Sequence, residues 1–307
     1  MKNKLSILTA TYNRKYIIKE LYESLQKQTN YNFEWIIVDD GSTDETEIEI
    51  KKYIKNEKNF NIYYKYQKNH GKHVAINTAV NMAKGEFAII VDSDDVLSHD
   101  AVETILKWVE EISSCENIAG VSGLKASKKN KKVVGDYPKN KKYEQYIIAK
   151  NNQRRRKHLL GDKAEVYRVE LLKKYPFKVY ENENFLTEDS VWNEFAYQGY
   201  YVKWYNKIIY YCDYLADGLT KKGEEKEIKN FKGFTYSTNQ RIKCNSLPDK
   251  IMAIGRYYYI SKKKNISNKE ITTNIKKNII IIKICYLIWL LKGIIIKWNQ
   301  QTKSNNL

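Results

Sequence analysis

The sequence predicts an α/β chain built on a mostly parallel, doubly wound sheet. Two observations carry this. Four short apolar runs rich in β-formers each lead into a polar loop and then a segment with helical spacing. Four β-α units in series are the pattern of a sheet whose strands run the same way with helices on both faces.

Each unit can be read in order. "LSILTA" (5–10) is a strand, "TYNR" a loop, and "KYIIKELYESLQKQ" a helix whose Ile17, Leu21 and Leu25 recur every four residues. "FEWIIV" (33–38), "DDGSTDE" and "TEIEIKKYIKN" repeat the order, with Ser and Thr as cap candidates. "NIYYKY" (61–66), "QKNHGK" and "HVAINTAVNMAKG" form the third unit. "EFAIIV" (86–91), "DSDDVLSHD" and "AVETILKWVEEI" form the fourth. Beyond residue 115 the pattern weakens. "NIAGVSGL" reads as a further strand, residues 125–146 as a basic loop, and "GDKAEVYRVELLKKYPF" and "FLTEDSVWNEFAYQGYYVKWY" as helix-containing segments before a strand, "KIIYYCDY". The expected division is an α/β unit over 1–220, split into halves over 1–112 and 113–220, followed by a basic helical region over 221–307 with the apolar helix 276–298.

Composition sets the partners. With 307 residues the chain can bury a sizeable core, and 42% hydrophobic with 29% charged residues is ordinary for a globular protein. Lys and Arg number 54 against 36 Asp and Glu, a formal charge of +18, so an anionic partner is expected. Four scattered cysteines without a C-x-x-C argue against a zinc site or a disulfide framework. "MKNKLSILTATYN" has too short an apolar run for a signal peptide and is expected to belong to the fold.

The polar loops fall at the carboxyl ends of the strands, where open α/β sheets bind ligands. No G-x-x-x-x-G-K-[ST] and no G-x-G-x-x-G follows the first strand, which disfavours a P-loop enzyme or a dinucleotide dehydrogenase. In "VDSDD", an extended chain after Val91 would point Asp92 and Asp94 to one side. Two such carboxylates suit Mg²⁺ or Mn²⁺, which take one or two of them and leave positions for water and phosphate. A lone D-x-D more often caps a helix, but its place at a strand end in a four-unit series favours the metal. Asp39 and Asp40 end the second strand, where a carboxylate can accept from a nucleobase N–H or serve loop hydrogen bonds. His70 and His73 have no partner at metal spacing and read as loop or surface histidines.

Together, "LSILTATYNR", "WIIVDDGSTDET" and "GEFAIIVDSDDVL" resemble, in order and approximate spacing, the family 2 glycosyltransferases, inverting enzymes of the GT-A fold. The resemblance is strong over about 4–112 and weaker to about 220. It implies a UDP-sugar donor, Mn²⁺ or Mg²⁺, and a glycan or lipid-linked acceptor. It implies Thr9 and Tyr12 in the nucleoside pocket, Asp39 on the uracil ring, Asp92 toward ribose and metal, and Asp94 as the main metal ligand. Many relatives carry an Arg shortly before the Asn of "NHGKHVAIN". Here Ile76 stands there, so Lys72 is the substitute toward the diphosphate, or else a solvated lysine at a helix start.

"FLTEDSVWNEFA" falls where the family has an acidic pair, which implies Asp189 as the catalytic base with Glu188 as the alternative. Asp162, Lys163 and the 217–220 loop (Asp217 to Thr220) match segments near donor or acceptor. Processive members place Q-x-x-R-W after the pair. "NNQRRRKH" precedes it and lacks the Trp, so transfer of one sugar is expected. A sugar-nucleotide pyrophosphorylase is disfavoured because its Gly-rich, Arg-bearing loop is missing, and the third reading is a non-catalytic basic binder.

Residues 261–307 hold ten Lys and one acid, Glu270. Within them "KKNIIIIKICYLIWLLKGIIIKW" (276–298) is broken by Lys283 and Lys292. A helix lying in an anionic membrane interface, with Trp289 and Trp298 as anchors, is favoured over a dimer-forming or core helix and over a span. Lys292 falls opposite the other lysines and spoils the stripe. The expected location is the cytoplasmic face of a bacterial plasma membrane. Nucleic acid is not expected, since no RRM, KH or zinc-finger signature is present.

Overall fold

The four predicted β-α units form in sequence. β1 (Leu5–Thr11), β2 (Phe33–Asp39), β3 (Asn61–Tyr66) and β4 (Phe87–Ile90) pair in parallel in the order β3-β2-β1-β4. The helices that follow them are α1 (Ile18–Gln26), α2 (Thr46–Asn56), α3 (Lys72–Met82) and α4 (Ala101–Glu110), the last preceded by the two-residue β5 (Val96–Leu97). The computed structural model describes residues 5–137, 145–213 and 223–304, with side chains as far as residue 294.

The remaining strands are β6 (Ile118–Ser127), β7 (Tyr146–Ala149), β8 (Lys163–Arg168) and β9 (Tyr201–Cys212), with α5 (Val169–Lys174) and α6 (Asp189–Tyr197) between the last two. They extend the sheet as β4-β8-β6-β9-β5, with β7 also on β9. β8 runs antiparallel to both β4 and β6, and β5 and β7 run antiparallel to β9. The sheet is therefore mixed: β3-β2-β1-β4 is all parallel, and in the second half β6 and β9 also pair in parallel. β8 arises in a segment read from sequence as helix-containing. Lys163, Ala164, Glu165 and Val166 alternate as a strand does, but the stretch is short and runs directly into the helical VELLKK of α5.

Side-chain alternation gives the sheet two apolar faces. Leu5, Ile7, Trp35 and Ile37 pack under α1 and α4, whereas Leu8, Ile36 and Val38 pack with α3, α5 and α6. α1 buries Ile18, Leu21, Tyr22 and Leu25, each contributing about 1.5–3 kcal/mol for an aliphatic side chain. The basic region folds as α7 (Gly223–Lys229), α8 (Phe231–Cys244), α9 (Leu247–Lys263), α10 (Asn268–Ile275) and α11 (Ile279–Ser304) around its own core of Phe231, Ile254, Tyr257, Ile260 and Ile282.

His73 departs from the sequence expectation. It is 4% exposed on the inner face of α3, and its Nδ1 has no partner among the described residues. Burial pulls its pKa down to about 4. The folded state therefore holds fewer protons than the unfolded state between pH 6.5 and about 4, so stability should fall as pH drops through that window. His73→Leu should flatten this part of the pH profile of denaturant-induced unfolding. An unchanged profile would count against the assignment.

Candidate functional site

Backbone geometry at the carboxyl ends of β1, β2 and β4 gathers the polar loops. Asp40 does much of the shaping: Oδ1 accepts from Gln67 Nε2 at 2.8 Å and from the His70 N–H at 3.0 Å, and Oδ2 accepts from the Gly71 N–H at 2.7 Å. Gly71 has φ +95°, and a Cβ there would lie 1.8 Å from the Asn184 carbonyl oxygen. The bare backbone lets the segment before α6 close on the start of α3.

That closure presents Lys72, the first residue of α3, to two carboxylates. Its Nζ lies 2.5 Å from Asp92 Oδ1 and 2.7 Å from Glu188 Oε1. Burial acts to lower the lysine's pKa, but Asp92 and Glu188 outweigh it and hold it above the usual value. Residues 92 and 188 thus meet at one ammonium.

Beyond β4 the chain turns rather than running on extended, with the Asp95 N–H donating to the Asp92 carbonyl at 3.1 Å. The alternation still survives: Val91, Ser93 and Asp95 are buried, while Asp92 and Asp94 are half-exposed. Asp95 is fixed inward by Tyr210, whose hydroxyl donates to Asp95 Oδ2 at 2.7 Å and accepts from the Asp92 N–H at 3.0 Å. Burial, and then the Asp92 charge, push Asp95 up to about 7. The same two influences raise Asp94.

Burial of Asp94 beside a second carboxylate is a hard-oxygen donor set that a divalent cation would relieve. Among the described residues no three His, Cys, Asp or Glu side chains converge as a closed metal cage. Mg²⁺ and Mn²⁺ sites of one or two carboxylates completed by water and phosphate do not require one.

Tyr12 is half-exposed at the end of β1. Asp39 is fully buried, accepting from the Ser42 N–H at 2.8 Å through Oδ1 and from Tyr64 Oη at 3.0 Å through Oδ2. Thr9 requires a correction. Its side chain is fully buried, and Oγ1 accepts from Trp35 Nε1 at 3.0 Å, so it serves the core below the site. The next residue on that face, Thr11, sits beside Asp39 in register, and its buried Oγ1 has no partner among the described residues. An unpartnered hydroxyl at a strand end is the feature expected of a ligand contact.

Sequence reasoning did not single out Lys125, Glu165 or Tyr210. Lys125 Nζ lies 4.0 Å from the Tyr210 ring centre. With Lys163, Glu165, Tyr167, Glu188 and Trp192 it lines a cavity of about 20 Å³, enough for roughly one water. Burial pulls Lys163 down to about 8, and Arg154 adds to the effect. A larger groove of about 740 Å³, lined by Thr29, Asn32, Glu103 and Glu110, lies at the other end of β2, away from these carboxylates. The 217–220 loop lies outside the described residues.

The acidic pair divides at the start of α6. Glu188 turns to Lys72 and the small cavity. Asp189 turns to α8, where its Oδ2 accepts from Arg241 Nε at 3.0 Å and Nη2 at 2.8 Å.

The profile of Glycosyl transferase family 2 matches residues 6–175, more than half of the chain. Poly(ribitol-phosphate) beta-N-acetylglucosaminyltransferase TarS of Staphylococcus aureus is 34% identical over 110 residues, 35% of this chain and 19% of that protein. The curated relatives reported match about a third of this chain and less than half of their own length. The solved structure of S. aureus TarS 1–349 with UDP-GlcNAc superposes with a TM-score of 0.60 at 20% identity, covering 85% of this chain and 73% of that one. The mannosyltransferase PcManGT from Pyrobaculum calidifontis, in complex with GDP-Man and Mn²⁺, gives 0.55 at 16% identity over 90% and 74%. The fold is GT-A, and with the profile covering the β-α units that build this cleft, the chain belongs to glycosyl transferase family 2.

Proposed function

We propose that the enzyme moves a single hexose or N-acetylhexosamine, with inversion, from a UDP-sugar to a hydroxyl of a lipid-linked or cell-surface glycan. The observation that carries this is the Lys72 ammonium shared by Asp92 and Glu188. It joins the D-x-D loop to the acidic pair at the end of the sheet where a sugar nucleotide would lie. The UDP-GlcNAc complex of TarS supports uridine as the base.

In this reading Tyr12 covers the nucleoside, Asp39 meets the uracil ring through a remaining lone pair, and Thr11 takes the place expected of Thr9. Lys72 faces the diphosphate. Asp94 is the main ligand of Mn²⁺ or Mg²⁺ and Asp92 the second. A bound cation supplies positive charge against the departing diphosphate. Asp189 removes the acceptor proton, with Oδ2 held by Arg241 and Oδ1 left without a partner among the described residues. A second reading, Glu188 as the base, is favoured by its contact with the cavity. The test is UDP release from a panel of sugar nucleotides with Mn²⁺, beside calorimetry of UDP binding. An enzyme that neither binds UDP nor turns over any UDP-sugar overturns the proposal.

We also place the enzyme at an anionic membrane surface, on the cytoplasmic face in a bacterium, through α11. α10 ends at Lys276, with φ +51°, so α11 starts at Ile279 and Lys276 and Lys277 precede it. Ile282 and Cys285 pack against α9, and Gly255 allows the close approach: a Cβ there would lie 2.5 Å from Trp289 Cβ. Trp289 packs on Tyr259, with ring centres 5.1 Å apart, and so is partly committed to the protein. Facing outward are Ile280, Ile281, Ile284, Leu287, Ile288, Leu291 and Ile294. They fill an arc of about 140° at 3.6 residues per turn, and Lys283 and Lys292 flank its two edges. With the buried face known, Lys292 no longer spoils the stripe.

No helix among the described residues is long and apolar enough to cross a membrane. A lipid surface suits this face, since lysines on both edges of the apolar arc would reach anionic headgroups. The protein should co-sediment with phosphatidylglycerol vesicles and not with phosphatidylcholine vesicles. Leu287→Ser with Leu291→Ser should abolish binding. Equal binding to both vesicle types, or concentration-dependent dimers lost in that variant, would contradict the assignment.

A further inference from the structure

The segment that carries the acidic pair is splinted by α8, which lies outside the β-α units. Asn230 Oδ1 accepts from the Asn184 and Phe185 N–H groups at 2.8 and 3.0 Å. The Glu183 carboxylate accepts from the Lys232 and Gly233 N–H groups, both at 2.7 Å. Thr187 Oγ1 and Ser237 Oγ lie 3.2 Å apart, and Gln240 Nε2 donates to Glu194 Oε2 at 3.0 Å. These contacts fix the backbone on both sides of residue 189.

Arg241 does something different. It binds no part of that backbone in these contacts but grips one oxygen of Asp189 with two donors, while the other oxygen stays enclosed and unpaired among the described residues. Two charged donors converging on Oδ2 hold the carboxylate more firmly than one would. The polar contacts of the splint would hold the segment without it.

We propose that Arg241 is a positioning residue that fixes the orientation of the Asp189 carboxylate, so that the C-terminal helices complete the catalytic centre. This rests on Asp189 being the base.

The test compares Arg241→Ala, Arg241→Lys and Asp189→Asn with the double variant in the full-length enzyme. Arg241→Ala should lower kcat by about 10- to 100-fold, the scale of a misaimed reacting group, with donor KM and UDP affinity unchanged. Arg241→Lys should restore part of the loss. Adding Arg241→Ala to Asp189→Asn should cost nothing further, because the two act as one unit. Wild-type kcat in Arg241→Ala, an equal loss in the Asp189→Asn background, or a loss of UDP affinity overturns the proposal. If Asp189→Asn keeps activity, the base assignment itself falls. If Arg241→Ala does not fold, the kcat of Arg241→Lys against its UDP affinity decides the question.

Discussion

Asp189→Asn is expected to lower kcat by about 10³-fold while leaving UDP affinity intact, within the range that a positioned general base contributes. The exchange is nearly isosteric. The amide oxygen can still accept from Arg241 Nε and Nη2, and the amide nitrogen replaces an oxygen that has no partner among the described residues. The fold around α6 should therefore survive, and what is lost is the capacity to take a proton. Glu188→Gln separates the two readings of the pair. Glu188 is one of two carboxylates on the Lys72 ammonium, so its neutral amide should alter donor KM more than kcat. If Glu188→Gln abolishes turnover with UDP binding intact and Asp189→Asn does not, the base is Glu188. Single-turnover transfer measured beside UDP calorimetry gives both numbers.

The four β-α units were legible because runs rich in β-formers recur before polar loops and helical segments, most clearly in α1, a pattern that survives without knowledge of neighbours. The second half was not, because its strands carry the site. β8 alternates Lys163 and Glu165 with apolar residues, and those charges line the cavity beside Glu188 rather than facing solvent. The strand end at 9–12 shows the same limit. Thr9 and Thr11 are chemically identical and share a face, and the Trp35 indole alone decides that Thr9 belongs to the core. His73 reads from sequence as a loop or surface residue because it has no partner at metal spacing. The helix instead turns Lys72 to the cleft and His73 inward. Arg241 gave no signal at all, since a contact between residues 189 and 241 depends on how α8 packs on α6. The excess of positive charge divides between two places in the structure. Lys72 and Lys125 serve the cleft, and the α11 lysines flank an apolar face. Family membership retires the pyrophosphorylase and non-catalytic readings.

Asp94→Asn should remove the metal-dependent part of UDP binding and leave the metal-independent part. Asp92 is already committed: Lys72 Nζ lies 2.5 Å from its Oδ1, and its N–H donates to Tyr210. Among the described residues Asp94 has no lysine partner within salt-bridge distance, and burial together with the Asp92 charge makes its carboxylate costly to hold without a cation. It is therefore the oxygen donor most in need of Mn²⁺ or Mg²⁺, and its amide cannot replace a hard anionic ligand. Affinity for UDP in Mn²⁺ should drop by about 10- to 100-fold or more, since even outer partners of a metal ligand cost that much. In EDTA the variant and the parent should bind UDP alike. Asp92→Asn should behave differently. It leaves Lys72 to Glu188 alone, so UDP affinity should change in EDTA as well as in Mn²⁺. Calorimetric titrations of both variants under the two conditions form a two-by-two comparison. If Asp94→Asn changes binding equally with and without metal while Asp92→Asn affects binding only with metal, the roles of the two aspartates are exchanged.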